Sequence, residues 1–588
     1  MLLNILLFVV SLMGYYLAYR FFCDADEVFF PVVYISVMTV VTYLFGLLGF
    51  LKIGVLVAES TGLALLLLLL YKKRRKLSLK SVLAGFINPT SFLMLIGIVW
   101  AYVITRNVGL SHSDDYNHWY RICKAMSADN LYPWAADITF ITYPPGTATW
   151  IYFFTRTFGF SVPNCFWAQT ILNLSGCCTL FHAVSKVGGF KEKTVKMVMI
   201  AVASAFLCSL NLSTYTLVVD ACLGIIAMAA AIYMLNADFT RRRSVVTVVV
   251  LLTFLNLIKI SGVLFEIFVL FLYLLLRGRR SKITAKGILT GFVITVIPTV
   301  FAILYRIRNS HIYTNIDSSE QAISSERFLN ILASRSNEEI LLYTKTFIKA
   351  LDPFRTLPQI TVVYYCLLAV IILAFFEKDA RNTLKKTFLY LVCTGVVYFA
   401  MLYLTYLLSM ELWETLSLNS FYRYAGTLSI YFAGLTIYSF ILRFNASGSR
   451  FYLKALAFSL LLVVIGQAFF GYGFLFGERQ ELYPELGFVT DTPWKALEAC
   501  SEEVFEYNDE SYYVIWDEQN LPGLLDRKIP YVITSTYFRS CNVECEICDD
   551  IENAACLGES VQELYDHVVI VGKTSRNDEK KLLYSIML

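Results

Sequence analysis

The feature that most limits what this chain can fold into is the recurrence of apolar runs long enough to cross a bilayer. A hydrocarbon core of ~30 Å takes about 20 largely apolar residues as an α-helix. Only helices and closed barrels satisfy their own backbone groups in that medium. About fourteen such runs occur, near residues 2–20, 29–50, 53–71, 82–104, 163–187, 195–212, 214–235, 244–258, 260–277, 286–305, 360–376, 386–408, 424–443 and 452–474. The chain therefore reads as an all-α polytopic membrane protein. Composition agrees: 57% of the 588 residues are hydrophobic and only 16% are charged. Residues 2–19 have no positive segment before them and no clear small-x-small site after them. They read as the first span and not as a cleaved signal.

Charge orients the threading. Lys and Arg runs prefer the cytoplasmic side. They occur at 72–76, 191–196, 241–243, 277–282, 377–386 and 443–450. Placing all six inside gives one consistent path, with both termini and the loops 105–162, 306–359 and 409–423 outside. This path requires residues 144–158 to lie along the interface without crossing. Four parts follow: N-terminal helices over 1–80, a core over 81–305 holding the outer loop 105–162, a second loop and further helices over 306–477, and a water-soluble tail over 478–588. The tail carries 23 acidic side chains against 9 basic ones, the reverse of the membrane body. Short strand-like runs at 512–516, 531–534 and 568–571, with helical patterns at 493–507 and 560–565, predict a small α/β domain outside the membrane. Its cysteines, Cys500, Cys541, Cys545, Cys548 and Cys556, suit disulfides, a zinc site or free thiols. The basic residues are scattered over short loops and form no single patch, so a nucleic-acid partner is not expected.

The outer loop 105–162 carries the chemistry. Its segment 111–120 places Asp114 and Asp115 side by side between His112 and His118, next to Trp119 and Tyr120. Tyr143-Pro144-Pro145-Gly146 follows. Residues 116–126 interleave aromatic and basic side chains, the pattern of a helix lying at the headgroup level. The two prolines open a second such helix, since proline is tolerated in a first turn. Ionisable groups at a membrane edge are costly and mark functional sites.

This arrangement resembles the GT-C superfamily of membrane glycosyltransferases, which includes protein O-mannosyltransferases and aminoarabinose transferases. Asp114-Asp115 matches that family's acidic pair, and Tyr143-Pro144-Pro145 its second motif. Residues 215–224 (YTLVVDACLG) and 257–262 (LIKISG) are similar to outer-edge segments of bacterial members. The resemblance spans roughly residues 82–305. It implies transfer of a sugar from a polyprenyl-phosphate-linked donor to a cell-surface glycan or lipid acceptor. It also implies that Asp114 is the general base and Asp115 its helper, raising its basicity by like charge. The plainer alternative is that Asp114 caps a helix beginning near Tyr116.

The donor phosphate needs cations at the outer edge. Lys259 and Arg423 sit at span ends on that side and are the preferred pair, with Arg327, Lys345 and Arg355 as further candidates. Each also fits a residue that merely reaches toward lipid headgroups. Asp220, inside an apolar span, is either a substrate contact or the partner of Lys259. His118 with Trp119 reads as an interfacial or acceptor-contacting pair. The spacing of His112 and His118 does not dictate a metal site, so no cofactor is assigned; a divalent cation held with the acidic pair is the alternative. Two other classes stay open: a transporter or flippase of lipid-linked sugars, and a non-enzymatic membrane scaffold.

Overall fold

The computed structural model describes residues 2–22, 26–73, 89–106, 110, 114–127, 142–185, 187, 189–210, 216–277, 285–312, 325–353, 358–377, 379–444, 455–463, 512–517, 543–548, 564 and 567–571. Helices dominate it. In chain order the first are α1 (Leu2–Phe22), α2 (Phe30–Leu47), α3 (Leu51–Lys73) and α4 (Pro89–Thr105). A π-helical turn, Asp115–Trp119, runs into α5 (Tyr120–Ser127). Then come α6 (Gly146–Phe158), α7 (Val162–Cys177) with a 3₁₀ extension Cys178–Val184, α8 (Phe190–Ser209), α9 (Asp220–Asn236), α10 (Arg242–Ile258), α11 (Gly262–Arg277) and α12 (Ala285–Ile312). The last are α13 (Ser325–Ala333), α14 (Asn337–Ala350), α15 (Pro358–Phe376), α16 (Arg381–Ser409), α17 (Leu412–Ser417) and α18 (Phe421–Arg443).

Thirteen of the fourteen expected spans carry a helix, and the last, 452–474, is helical over its described part, 455–463. Among the described residues, seven helices are long and apolar enough to cross a membrane, and three shorter apolar ones accompany them. At 13 residues α6 is about 20 Å long, short of a bilayer core. It is buried on nearly every side.

The described chain divides into two compact units, residues 1–108 with 140–478, and residues 109–139 with 479–588. The first unit is the helix bundle. At its centre α9 is buried from Asp220 to Met234, and α18 is buried over most of its length. The run of alanines in α9 lets neighbouring helices approach closely, which is how helices associate where lipid is as apolar as leucine. Peripheral α12 instead exposes Ile288, Leu289 and Phe292.

Hydrogen bonds sort the helix ends into two edges. Arg243 before the body of α10 donates to the Phe22 carbonyl closing α1. Asn236 at the end of α9 donates to the Tyr438 hydroxyl near the end of α18, 2.9 Å away. At the same edge the 3₁₀ extension of α7 meets the α1–α2 connection, where His182 Nδ1 lies 3.1 Å from Asp26 Oδ2. The beginnings of α9, α11 and α18 form the opposite edge.

In the second unit, three strands form a parallel sheet of order β2-β1-β3: β1 (Tyr512–Asp517), β2 (Val543–Cys548) and β3 (His567–Val571). Tyr512 pairs with Val543 on one side and His567 on the other. Parallel neighbours require crossover connections, here residues 518–542 and 549–566. Val514 and Ile515 on the central strand point to opposite faces and both are fully buried, so the sheet is covered on both sides. Strands expected at 512–516 and 568–571 are present. β2 was not anticipated, because its Glu-Cys alternation reads as a cysteine cluster. The expected run 531–534, the helix 493–507, and Cys500, Cys541 and Cys556 lie outside the described residues, as does the expected helix 560–565 except for Leu564, which is exposed in a turn.

Candidate functional site

Four separate segments of the bundle meet at the edge where α9, α11 and α18 begin. α10 and α11 are joined by a three-residue turn. Gly262 makes that turn possible: a Cβ there would fall 2.3 Å from the Leu255 carbonyl oxygen. Its amide donates to the Lys259 carbonyl at 2.8 Å. The turn holds Lys259 in extended conformation with its ammonium over the start of α9. There Lys259 Nζ lies 3.0 Å from Asp220 Oδ1, and both side chains are largely out of solvent. Asp220 is the first residue of α9, where a carboxylate also favours the positive helix end. The ion pair with Lys259 is one of the two roles expected for Asp220. Its other carboxylate oxygen has no hydrogen-bond partner among the described residues.

Two aromatic rings flank the ammonium, Tyr424 with its centroid at 4.9 Å and Tyr143 at 5.6 Å. Both are within the range of cation–π attraction. Tyr143 is set by the start of α6. Pro145 occupies the position just before that helix, and Gly146 rests against α10: a Cβ would come 2.5 Å from the Leu257 carbonyl oxygen. Only glycine permits this approach, which draws the Tyr-Pro-Pro motif onto the Lys259 turn. Tyr424 belongs to the first turn of α18, where the Tyr398 hydroxyl of α16 donates to its carbonyl at 2.7 Å. The Arg423 guanidinium sits 5.9 Å from the same ring and is buried. Thr427, one turn on, donates to the Asp220 carbonyl at 3.1 Å and ties α18 to α9.

Burial pushes the Lys259 ammonium down, but the Asp220 carboxylate together with Tyr424 and Tyr143 more than offsets it and holds the group above the ordinary lysine range. Burial pushes the Tyr143 phenol up, against the pull of Lys259. Lys259 is therefore charged here, and Tyr143 is a neutral hydrogen-bonding group. The edge combines two cations, one anion and two aromatic faces.

Of the residues expected from sequence, Tyr143, Pro144, Pro145, Asp220, Lys259 and Arg423 belong to the first unit, and the structure brings Tyr143, Asp220, Lys259 and Arg423 together. Tyr424, Tyr398 and Thr427 are additions. Tyr424 carried a readable signal, an aromatic next to an arginine at a span end. Lys345 is exposed on α14, while Arg355 and the side chain of Arg327 lie outside the described residues.

Asp114, Asp115 and His118 belong to the second unit. Asp114 has helical backbone angles and its side chain makes no capping hydrogen bond, so the helix-cap reading fails. Asp115 opens the π-helical turn and is fully buried. His118, in the same turn, is also fully buried and meets Trp119 edge-on with centroids 4.4 Å apart. π-Turns are rare and recur at functional sites. His112 lies outside the described residues. Among the described residues, no group of three His, Cys, Asp or Glu side chains is arranged to hold a metal.

No protein-family model and no curated protein matches the chain. Among solved structures it is similar to the crystal structure of ArnT from Cupriavidus metallidurans bound to undecaprenyl phosphate, with 14% identical residues, a TM-score of 0.41, and coverage of 80% of this chain and 88% of that one.

Proposed function

We propose that this chain is an integral-membrane glycosyltransferase of the GT-C type. It moves a sugar from a polyprenyl-phosphate-linked donor to a glycan or lipid acceptor at the outer face of the membrane. The observation that carries the reading is the convergence of Lys259, Arg423, Asp220, Tyr143 and Tyr424 at one edge of the bundle. Within this cluster Asp220 neutralises Lys259, and Arg423 leaves one net positive charge. A sugar joined to a polyprenol through one phosphate is a phosphodiester with one negative charge. An arginine fork suits its two free oxygens, and the tyrosine faces offer a surface for the sugar or the first prenyl unit.

In the reaction, the acceptor hydroxyl oxygen bonds to the anomeric carbon. The bond from that carbon to the phosphate oxygen breaks, and the phosphate leaves with the electron pair. Lys259 and Arg423 stabilise the charge gathering on it. The hydroxyl proton passes to a carboxylate, which the motif resemblance assigns to Asp114, with Asp115 raising its basicity. The outer-face assignment follows from the Lys and Arg runs: Arg241–Arg243 at the start of α10 and Arg443 closing α18 belong to the edge opposite Lys259, and such runs stay inside.

The test is donor kinetics on Arg423 variants in purified, reconstituted protein. Arg423→Ala should raise the apparent KM for a polyprenyl-phosphate sugar more than it changes the acceptor KM, since each charge-assisted hydrogen bond is worth ~1.5–3 kcal/mol. Arg423→Lys should recover part of the loss. A flat donor KM at normal membrane abundance would remove Arg423 from the site and leave it a headgroup anchor.

A further inference from the structure

The turn that presents Arg423 is under backbone strain. Leu418 (φ 52°) and Ser420 (φ 60°) are the two non-glycine residues with positive φ among those described, and they flank Asn419 between α17 and α18. Left-handed backbone is unfavourable for such residues and persists only where its surroundings over-determine it. The surroundings here are specific. The Tyr406 hydroxyl of α16 donates to the Asn419 carbonyl. Phe421 packs against Phe347 of α14, with centroids 5.5 Å apart. Tyr343 of α14 stacks on Tyr403 at 4.9 Å and donates to its carbonyl at 2.8 Å.

One charged group closes this assembly. Arg335 lies between α13 and α14, just before Ser336, which begins α14 with a reciprocal capping pair to Glu339. A single guanidinium nitrogen, Nη2, donates to the Tyr406 carbonyl at 3.2 Å, the Met410 carbonyl at 2.6 Å and the Thr415 hydroxyl at 3.0 Å. The first two are end carbonyls of α16 that lack helical partners, where a cation is favoured. The third is on α17. Thr415 in turn donates to the Tyr406 and Glu411 carbonyls, both at 2.8 Å. Arg335 therefore pins the end of α16 and the body of α17, and the strained turn that leads to Arg423 begins three residues beyond Thr415.

We propose that Arg335 is a positioning residue for donor binding: it locks the α16–α18 corner in the strained conformation that places Arg423 and Tyr424 beside Lys259. This rests on the reading of that edge as the donor-phosphate site. Arg335 touches no substrate and acts only through the corner. Any ligation at Arg423 would then draw on strain held in place by a side chain two helices away.

The test uses full-length protein in lipid nanodiscs carrying Arg335→Gln, Arg335→Lys, Arg423→Ala or Arg335→Gln with Arg423→Ala. Two quantities are read, amide hydrogen exchange over residues 411–424 and donor KM. Arg335→Gln should speed exchange across the corner and raise donor KM by roughly tenfold, the effect of misaligning one charge-assisted contact. The acceptor KM should not move. Arg335→Lys should recover part of both. The double variant should match Arg423→Ala alone, because two residues acting through one contact are not additive. Unchanged exchange in Arg335→Gln would overturn the proposal. So would faster exchange with a normal donor KM while Arg423→Ala raises it. Faster exchange with a flat donor KM in every variant would instead retain the lock and discard the phosphate reading.

Discussion

The pair Asp220–Lys259 makes a sharp test of how this edge is built. Two unit charges 3.0 Å apart attract by about 5 kcal/mol at an effective dielectric of ~20. Desolvation offsets much of that for the intact pair, so the pair itself is a modest net stabiliser. Removing one partner is different: the survivor stays buried and uncompensated, at a cost of ~3–5 kcal/mol. Asp220→Asn keeps size and shape, so it reports charge alone. It should destabilise the bundle by that amount in chemical denaturation of the solubilised protein. Lys259→Met should do the same, and the double variant should regain at least ~2 kcal/mol of the summed loss. The pH dependence has a definite sign. Lys259 is held above its unfolded value, so its contribution is fully present below the ordinary lysine pKa of about 10.4 and fades as pH rises through the higher folded value. Wild-type stability should therefore keep this contribution from pH 6 to about pH 10 and lose it progressively at higher pH, read by chemical denaturation across that range. Single variants costing less than ~1 kcal/mol and adding independently would mean an exposed, weakly coupled pair, and the buried-edge argument would fail.

Three other outcomes are expected. Gly146→Ala should cost ~1–3 kcal/mol of stability, measured as a lower Tm, because the new methyl meets the Leu257 backbone, which cannot yield as a side chain would; unchanged stability would show that α6 can slide away from α10. Asp114→Asn should leave folding intact and lower kcat by ~10²–10⁴-fold, with Asp115→Asn costing less, whereas wild-type turnover in the Asp114 variant would rule it out as the base. Single cysteines replacing exposed Arg241 and exposed Lys345 should react with impermeant maleimide from opposite sides of the membrane, and labelling from one side only would break the threading.

The helices were legible because the bilayer imposes one length scale on every span, and apolar runs record it. Their ends were less so. The span placed at 386–408 is part of a helix from Arg381 to Ser409, since the largely polar residues 381–385 form a helical turn ahead of the apolar run. Apolar length measures the membrane and not the helix. The short amphipathic helices α13, α14 and α17 escaped because no such yardstick applies outside the hydrocarbon. The parallel strand Val543–Cys548 escaped because its alternation is of glutamate and cysteine, a pattern that reads first as ligands.

The site was legible one residue at a time and illegible as a constellation. Lys259 and Arg423 stood out as cations at span ends, and Asp220 as a carboxylate inside an apolar run. A buried ammonium requires a counter-ion, and a buried carboxylate requires a donor. The pairing was therefore implied by cost once both lay at the same edge. The charge-run threading puts both there, with Lys259 in the outer turn between 244–258 and 260–277 and Asp220 inside 214–235 near the same edge. What pattern alone could not supply was the third party. Thr427 reaches the Asp220 carbonyl, and Tyr398 the Tyr424 carbonyl, across separations set by packing of α9, α16 and α18. These are neutral groups on helix faces full of similar tyrosines and threonines, with nothing in their spacing to single them out. Charge is scarce in a membrane protein and so announces itself; the neutral groups that aim the charge are common and become visible only in the fold.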